Sequence, residues 1–134
     1  MDARLHQAVR ARARQRCEYC RFPEILAEVP FHLDHIVAQQ HGGGAVLENL
    51  ALACCFCNRF KGPNLSGMDP ITGQVVRLFN PRQDRWEDHF AWNAALLSGL
   101  TATARATIQT LRLNRADAVG VRQLLMREGV YPAA

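Results

Sequence analysis

Within His32–Lys61 the chain reads HLDHIVAQQHGGGAVLENLALACCFCNRFK. An aspartate beside a histidine, Asp34-His35, is followed at a distance by Asn58. Hydrolysis of a phosphodiester needs a base to activate water and a cation to neutralise charge on the phosphorus and the leaving oxygen. Asp34 offers a hard carboxylate oxygen and Asn58 an amide oxygen, a donor pair suited to Mg²⁺ or Mn²⁺. His35 is the candidate base, because an imidazole with an ordinary pKa of about 6.5 is largely neutral at physiological pH. His32 alternates with Asp34 along an extended segment, so it is a candidate third ligand or phosphate contact.

A second set of residues implies a different metal. The chain has five cysteines, four of them in two pairs, Cys17-x-x-Cys20 and Cys54-x-x-Cys57. Without an export signal, such pairs read as a structural Zn²⁺ site rather than as disulfides, since tetrahedral zinc takes four thiolates and each C-x-x-C turn presents two. A zinc so enclosed has no open position for catalysis. Cys55 is the spare thiol, expected to be buried or reactive.

The elements that would position these groups follow from the pattern. Leu5, Ala8, Val9, Arg12 and Arg16 recur at helical spacing over residues 3–16. Val29 to Ile36 suits a strand with Phe31 and Leu33 on one face and His32 and Asp34 on the other. Gly42, Gly43 and Gly44 permit a tight loop. Leu50 to Ala53 is apolar enough for a second strand, and Cys54 opens a helix carrying Asn58 and Lys61 that ends at Gly62-Pro63. This ββα unit is too small to bury its own faces, and the two C-x-x-C pairs would tie the entry helix to the last one. From Asn64 to Gly73 turn residues dominate. Gln74–Phe79, Trp86–Trp92 and Ala94–Leu100 read as strands. Thr101–Leu113, capped by Thr101 or Thr103, and Ala116–Arg127 read as helices, with Leu111, Leu124 and Leu125 as core and His89 packed under the sheet. The expected organisation is residues 1–63 as the site-bearing unit and 64–134 as an appended αβ region packed on it, with no internal repeat.

Formal net charge is +4, and Lys61 is the only lysine among 16 basic residues. Arginine suits bidentate contact with phosphate. Arg59 and Lys61 beside Asn58, His41 in the glycine loop, and Arg82 with Arg85 near Trp86 are candidate nucleic-acid contacts, as are the arginines of the first helix. No run approaches the roughly 18 apolar residues of a membrane span, so no membrane partner is expected, and a soluble cytoplasmic protein, monomeric or homodimeric, is the default.

Taken together, Asp34-His35-Ile36, Gly42-Gly43, Asn49-Leu50 and Cys54-x-x-Cys57-Asn58-x-x-Lys61 closely resemble the HNH endonucleases over about residues 15–63. The resemblance implies an α+β fold: a zinc-stapled ββα-metal core, here with an appended small β-hairpin and helix region. It implies His35 as general base, Asn49 as the residue that braces the loop and orients that histidine, and Asp34 with Asn58 as ligands of the catalytic divalent ion. The last family histidine is Asn58 here, and Ala38 and Gln39 stand where a proline is usual. The string Leu78-Phe79-Asn80-Pro81-Arg82 with Trp86-x-x-His89-Phe90 is similar to the tail of one bacterial HNH subgroup. The activity implied is metal-dependent hydrolysis of DNA. The alternatives are a zinc-braced nucleic-acid-binding module without catalysis, and a nuclease directed at RNA.

Overall fold

The structure is a computed structural model and describes residues 3–132. Its chain contacts divide into two units, one running to Leu65 and including Asn80–Gln83, the other comprising Ser66–Phe79 and the chain from Asp84 onward. The fold is α+β, built from short antiparallel strand pairs and helices. The first unit is therefore discontinuous, since the segment around Arg82 belongs to it rather than to the appended half.

In the first unit, helix α1 (Ala3–Arg12) is followed by strand β1 (His32–His35), strand β2 (Leu50–Ala53) and helix α2 (Cys55–Lys61). Helix α1 stops four residues earlier than the apolar spacing predicts. Arg14 and Gln15 take left-handed φ values of 55° and 54°, and the Gln15 amide reaches back to the Arg10 carbonyl at 2.9 Å, closing the helix end. The chain then enters the first C-x-x-C turn. Strand β1 is confined to four residues paired antiparallel with β2, Asp34 opposite Ala51 and His35 opposite Leu50. All of β2 is buried, as are Val9, Tyr19 and Phe31.

Two arginines of α1, Arg10 and Arg12, are clamps within this unit. Arg10 pairs with Glu24 at 3.1 Å, and Glu24 also accepts from the Phe31 amide at 2.8 Å, fixing the approach to β1. Arg12 donates to the carbonyls of Leu47 at 2.8 Å and Leu50 at 2.5 Å.

The second unit holds strands β3 (Ser66–Met68) and β4 (Val75–Arg77), one helical turn α3 (Trp86–His89), strands β5 (Phe90–Asn93) and β6 (Leu96–Gly99), and helices α4 (Ala102–Thr110) and α5 (Ala116–Arg127). Two expectations change here. Ser66–Met68, predicted as turn, pairs with β4, and Trp86–His89, predicted as strand, is helical before β5 begins. Helix α4 is capped as expected, the Thr101 hydroxyl accepting from the Ala104 amide at 3.1 Å. A run of ring contacts, Phe79–Phe90, Phe90–Trp86, Trp86–Trp92 and Trp92–Tyr131, has centroid separations of 5.1 to 5.8 Å and forms much of this core. His89 packs edge-on to Phe79. Leu111 is fully buried, but Leu124 is exposed. The buried residue of α5 is instead Arg122, which donates to the Ala95 and Leu113 carbonyls at 2.9 and 2.8 Å and lies over the Trp92 ring.

Asp69 is buried in this unit and accepts a two-pronged pair from Arg105 at 2.8 and 2.9 Å. Arg105, more strongly than burial opposes it, holds the Asp69 carboxyl well below the ordinary range. A depressed carboxyl adds stability that is present above its unfolded value of about 3.9 and is lost as pH falls through its lower folded value. The two tryptophans, Trp86 and Trp92, both report on this unit. Thermal unfolding followed by their fluorescence is expected to lose stability below about pH 4, and Asp69→Asn is expected to be less stable at neutral pH with a flatter acid dependence. Parallel acid profiles for the two proteins would exclude this pair as the source.

Candidate active site

Four sulfurs organise the first unit. The Sγ atoms of Cys17, Cys20, Cys54 and Cys57 all lie within 4.8 Å of one another, and all four residues are buried. The Cys57 amide points at the Cys54 sulfur at 3.4 Å, making Cys54 the N-cap of α2, and the Cys20 amide points at Cys17 at 3.5 Å. Thiol hydrogen bonds from Cys17, Cys20 and Cys57 lower the pKa of Cys54, whereas burial pushes Cys17 up and the thiol contact with Cys17 raises Cys57. Four mutually close thiols are thus placed to hold a metal ion, and all-sulfur tetrahedral sets are characteristic of structural zinc. Cys55 lies outside the set as a half-buried free thiol.

The two residues inside the first C-x-x-C turn act on the strands. Glu18 donates its amide to the Leu52 carbonyl at 2.8 Å, and its carboxylate accepts from the Leu52 amide at 2.8 Å, so the turn serves as a further edge on β2. The other Glu18 oxygen is taken by Arg82. Arg82, expected as a nucleic-acid contact, is mostly buried and committed to this ion pair. Tyr19, fully buried, donates its hydroxyl to Asp34 Oδ2 at 2.7 Å. Burial, and then the Asp34 charge, raise the Tyr19 pKa, keeping the phenol a donor.

Asp34, His35 and Asn58 line one cleft of about 490 Å³, with Gln39, Gln40 and Gly62 among its other walls. Strand β1 delivers Asp34 and His35 from one side, and α2 delivers Asn58 from the other. Among the described residues, the Asn58 amide makes no side-chain hydrogen bond, and His35 Nε2 is a buried nitrogen without a partner. Buried polar atoms are nearly always satisfied, so one left over in a cleft marks a place for a water, an ion or a substrate atom. Burial raises the Asp34 pKa, opposed by Lys61 and Tyr19. Its Oδ2 accepts from the Tyr19 hydroxyl at 2.7 Å and its Oδ1 from the Lys61 ammonium at 3.4 Å, which also lies 3.2 Å from Oδ2. Each carboxylate oxygen keeps a further lone pair, and with the Asn58 amide oxygen this donor set fits a hard cation such as Mg²⁺ or Mn²⁺.

Four other expected site residues sit elsewhere. His32 shares the strand face of Asp34 but lies at the open end of β1, exposed and outside the cleft lining. Lys61, expected as a phosphate contact, is 1% exposed. It turns inward because α2 places it one turn beyond Asn58, against the end of β1. His41 is exposed on the loop, and Arg59 is exposed on α2 over the Phe56 ring. Sequence reasoning missed Glu18 and Tyr19. The one available signal was that both stand between zinc-ligand cysteines, where a turn otherwise exposes its middle residues.

Asn49 braces the loop that follows His35. Its side chain accepts from the Val37 amide and donates to the Val37 and Gly44 carbonyls, all at 2.9 Å, and its own carbonyl accepts from the Ile36 amide. Gly43 is required for this closure. A Cβ there would fall 1.7 Å from the Val37 oxygen and 2.7 Å from the Asn49 amide nitrogen, whereas one at Gly44 would meet nothing within 4 Å. Gly43→Ala is expected to cost about 3 kcal/mol or more and Gly44→Ala less than about 0.5 kcal/mol, as read by urea denaturation under far-UV circular dichroism. Equal effects would refute the brace.

Residues 17–64 match the family model described as HNH endonuclease. No curated protein and no solved structure matches the chain. The matched segment begins at the first cysteine of the four-sulfur cluster and contains β1, the braced loop, β2 and α2. Over residues 17–64 the chain thus carries a segment that matches the HNH endonuclease family model, with four cysteines inside it placed to form a zinc site.

Proposed function

We propose that the chain is a metal-dependent endonuclease that hydrolyses phosphodiester bonds in DNA. The observation that carries this reading is the convergence of Asp34, His35 and Asn58 on one cleft, where the buried His35 Nε2 lacks a partner. His35 takes a proton from the attacking water, a new P–O bond forms, and the bond to the leaving oxygen breaks, that oxygen acquiring a proton. Asp34 and Asn58 would hold Mg²⁺ or Mn²⁺, which stabilises negative charge on phosphorus and on the leaving oxygen. Asn49 keeps the loop, and with it the backbone beyond His35, in one conformation. Cys17, Cys20, Cys54 and Cys57 would hold Zn²⁺, which would fix the start of α2 and supply no chemistry. Exposed Arg59 and His41 are the side chains best placed to meet the nucleic-acid backbone, and their contribution would weaken with salt.

No helix of the described residues is long and apolar enough to cross a membrane. Incubation of supercoiled plasmid with Mg²⁺ or Mn²⁺ is expected to give nicked product, and His35→Ala to slow nicking by about 10²-fold or more. Equal nicking by the two proteins would remove His35 from the role of base. Salt-sensitive binding without cleavage under any metal would mean a binding module, and faster cleavage of an RNA of the same sequence would redirect the substrate assignment. Elemental analysis is expected to find one zinc per chain. Stripping it with a strong chelator is expected to unfold residues 17–64 and abolish cleavage, with no recovery on adding Mg²⁺ alone. A metal-free protein that stayed folded and active would overturn the structural role of zinc.

A further inference from the structure

Lys61 is the only lysine in the chain, and it is buried at the edge of the cleft rather than solvated. Its Nζ lies 3.1 Å from the His35 carbonyl, 3.1 Å from the Ile36 carbonyl, and 3.2 and 3.4 Å from the two Asp34 oxygens. An ammonium has three protons; two serve the carbonyls and the third serves the carboxylate. Burying a lysine is costly unless it is so paired, and here every acceptor belongs to the end of β1 that carries Asp34 and His35. The Tyr19 hydroxyl donates to Oδ2 and the ammonium to Oδ1, so both oxygens of Asp34 are already engaged by the chain itself.

We infer that Lys61 is a positioning residue that acts as a resident counter-ion for Asp34: it pins the Asp34 carboxylate against the end of β1, and its charge competes with a divalent cation for that carboxylate. The inference rests on the reading of Asp34 as a ligand. A cation entering the cleft meets a carboxylate already partly neutralised, so the site binds Mg²⁺ more weakly than the same donor set without the lysine. The fold in turn does not depend on the divalent ion, because Asp34 has a partner without it.

The test uses the zinc-loaded full chain and thermal unfolding titrated with Mg²⁺, an oxygen-seeking ion that leaves the thiol cluster alone. Wild type is compared with Lys61→Met, which removes the charge while keeping much of the side-chain length, and with Lys61→Met/Asp34→Asn. Without Mg²⁺, Lys61→Met is expected to melt lower than wild type. On titration its melting temperature is expected to rise further than that of wild type, half-saturating at Mg²⁺ concentrations lower by about tenfold or more, a coupling of ordinary size for adjacent charges. The double variant is expected to show no response. Equal Mg²⁺ responses in wild type and Lys61→Met would overturn the inference. If Lys61→Met is unfolded without Mg²⁺, folding induced by Mg²⁺ and lost in the double variant supports it, and failure to fold at any Mg²⁺ concentration overturns it. Nicking is a separate readout. A wild type that binds Mg²⁺ as expected but never cuts DNA would end the nuclease reading and leave this one standing. Efficient nicking with identical Mg²⁺ responses would do the reverse.

Discussion

Four buried thiols held within 4.8 Å of one another bring both C-x-x-C turns to a single point, where burial opposes ionising any of them without a cation. A bound cation resolves this by taking all four as thiolates, and structural zinc sites contribute on the order of 10 kcal/mol of folding free energy in this way. Cys54 is both a member of the cluster and the N-cap of α2, so the cluster decides where that helix begins. Asn58, whose amide bonds to the Cys54 carbonyl, and Lys61, one turn further, are then set in place on neighbouring positions of one face. From the other side of the cluster, Cys17-x-x-Cys20 carries Glu18 onto β2 and Tyr19 onto Asp34. Both walls of the candidate active site are thus referred to the same four atoms.

Around this centre, polar side chains do much of what an apolar core does in a larger domain. Arg10 with Glu24, Arg12 on the carbonyls of Leu47 and Leu50, Asn49 across the glycine loop, and Lys61 on the end of β1 each tie non-repetitive backbone to a regular element. A unit of this size has little apolar surface to bury, and its long loops carry many amide and carbonyl groups that need partners. Guanidinium and carboxamide groups, with several donors each, satisfy two or three of them at once. Part of the arginine-rich composition is therefore spent on the fold itself.

The second unit reaches stability differently, through contiguous aromatic rings and one buried arginine. Arg122 anchors α5 by bonding to the Ala95 and Leu113 carbonyls and the Asn114 side chain. The exposure of Leu124 follows, because the face of α5 directed inward is the one that carries Arg122, and an apolar spacing count cannot register a charged residue as the anchor.

By itself, the sequence determined the four-cysteine donor set, the order strand, glycine loop, strand, helix, and the choice of Asp34, His35, Asn49 and Asn58 as the proposed site residues, because these depend on residue type and short-range spacing. The helix Ala116–Arg127 and the Thr101 cap were legible for the same reason. Only the tertiary structure decided the partners of the charged residues. Arg82 lies 64 residues from Glu18 and Lys61 lies 27 from Asp34, and no local pattern distinguishes a lysine that faces solvent from one that neutralises a buried carboxylate. The feature that seemed simplest in the sequence, a basic helix beside an Asp-His pair, thus became an ion pair inside the site, since the direction a helix faces is set by the cluster that caps it and not by its own residues.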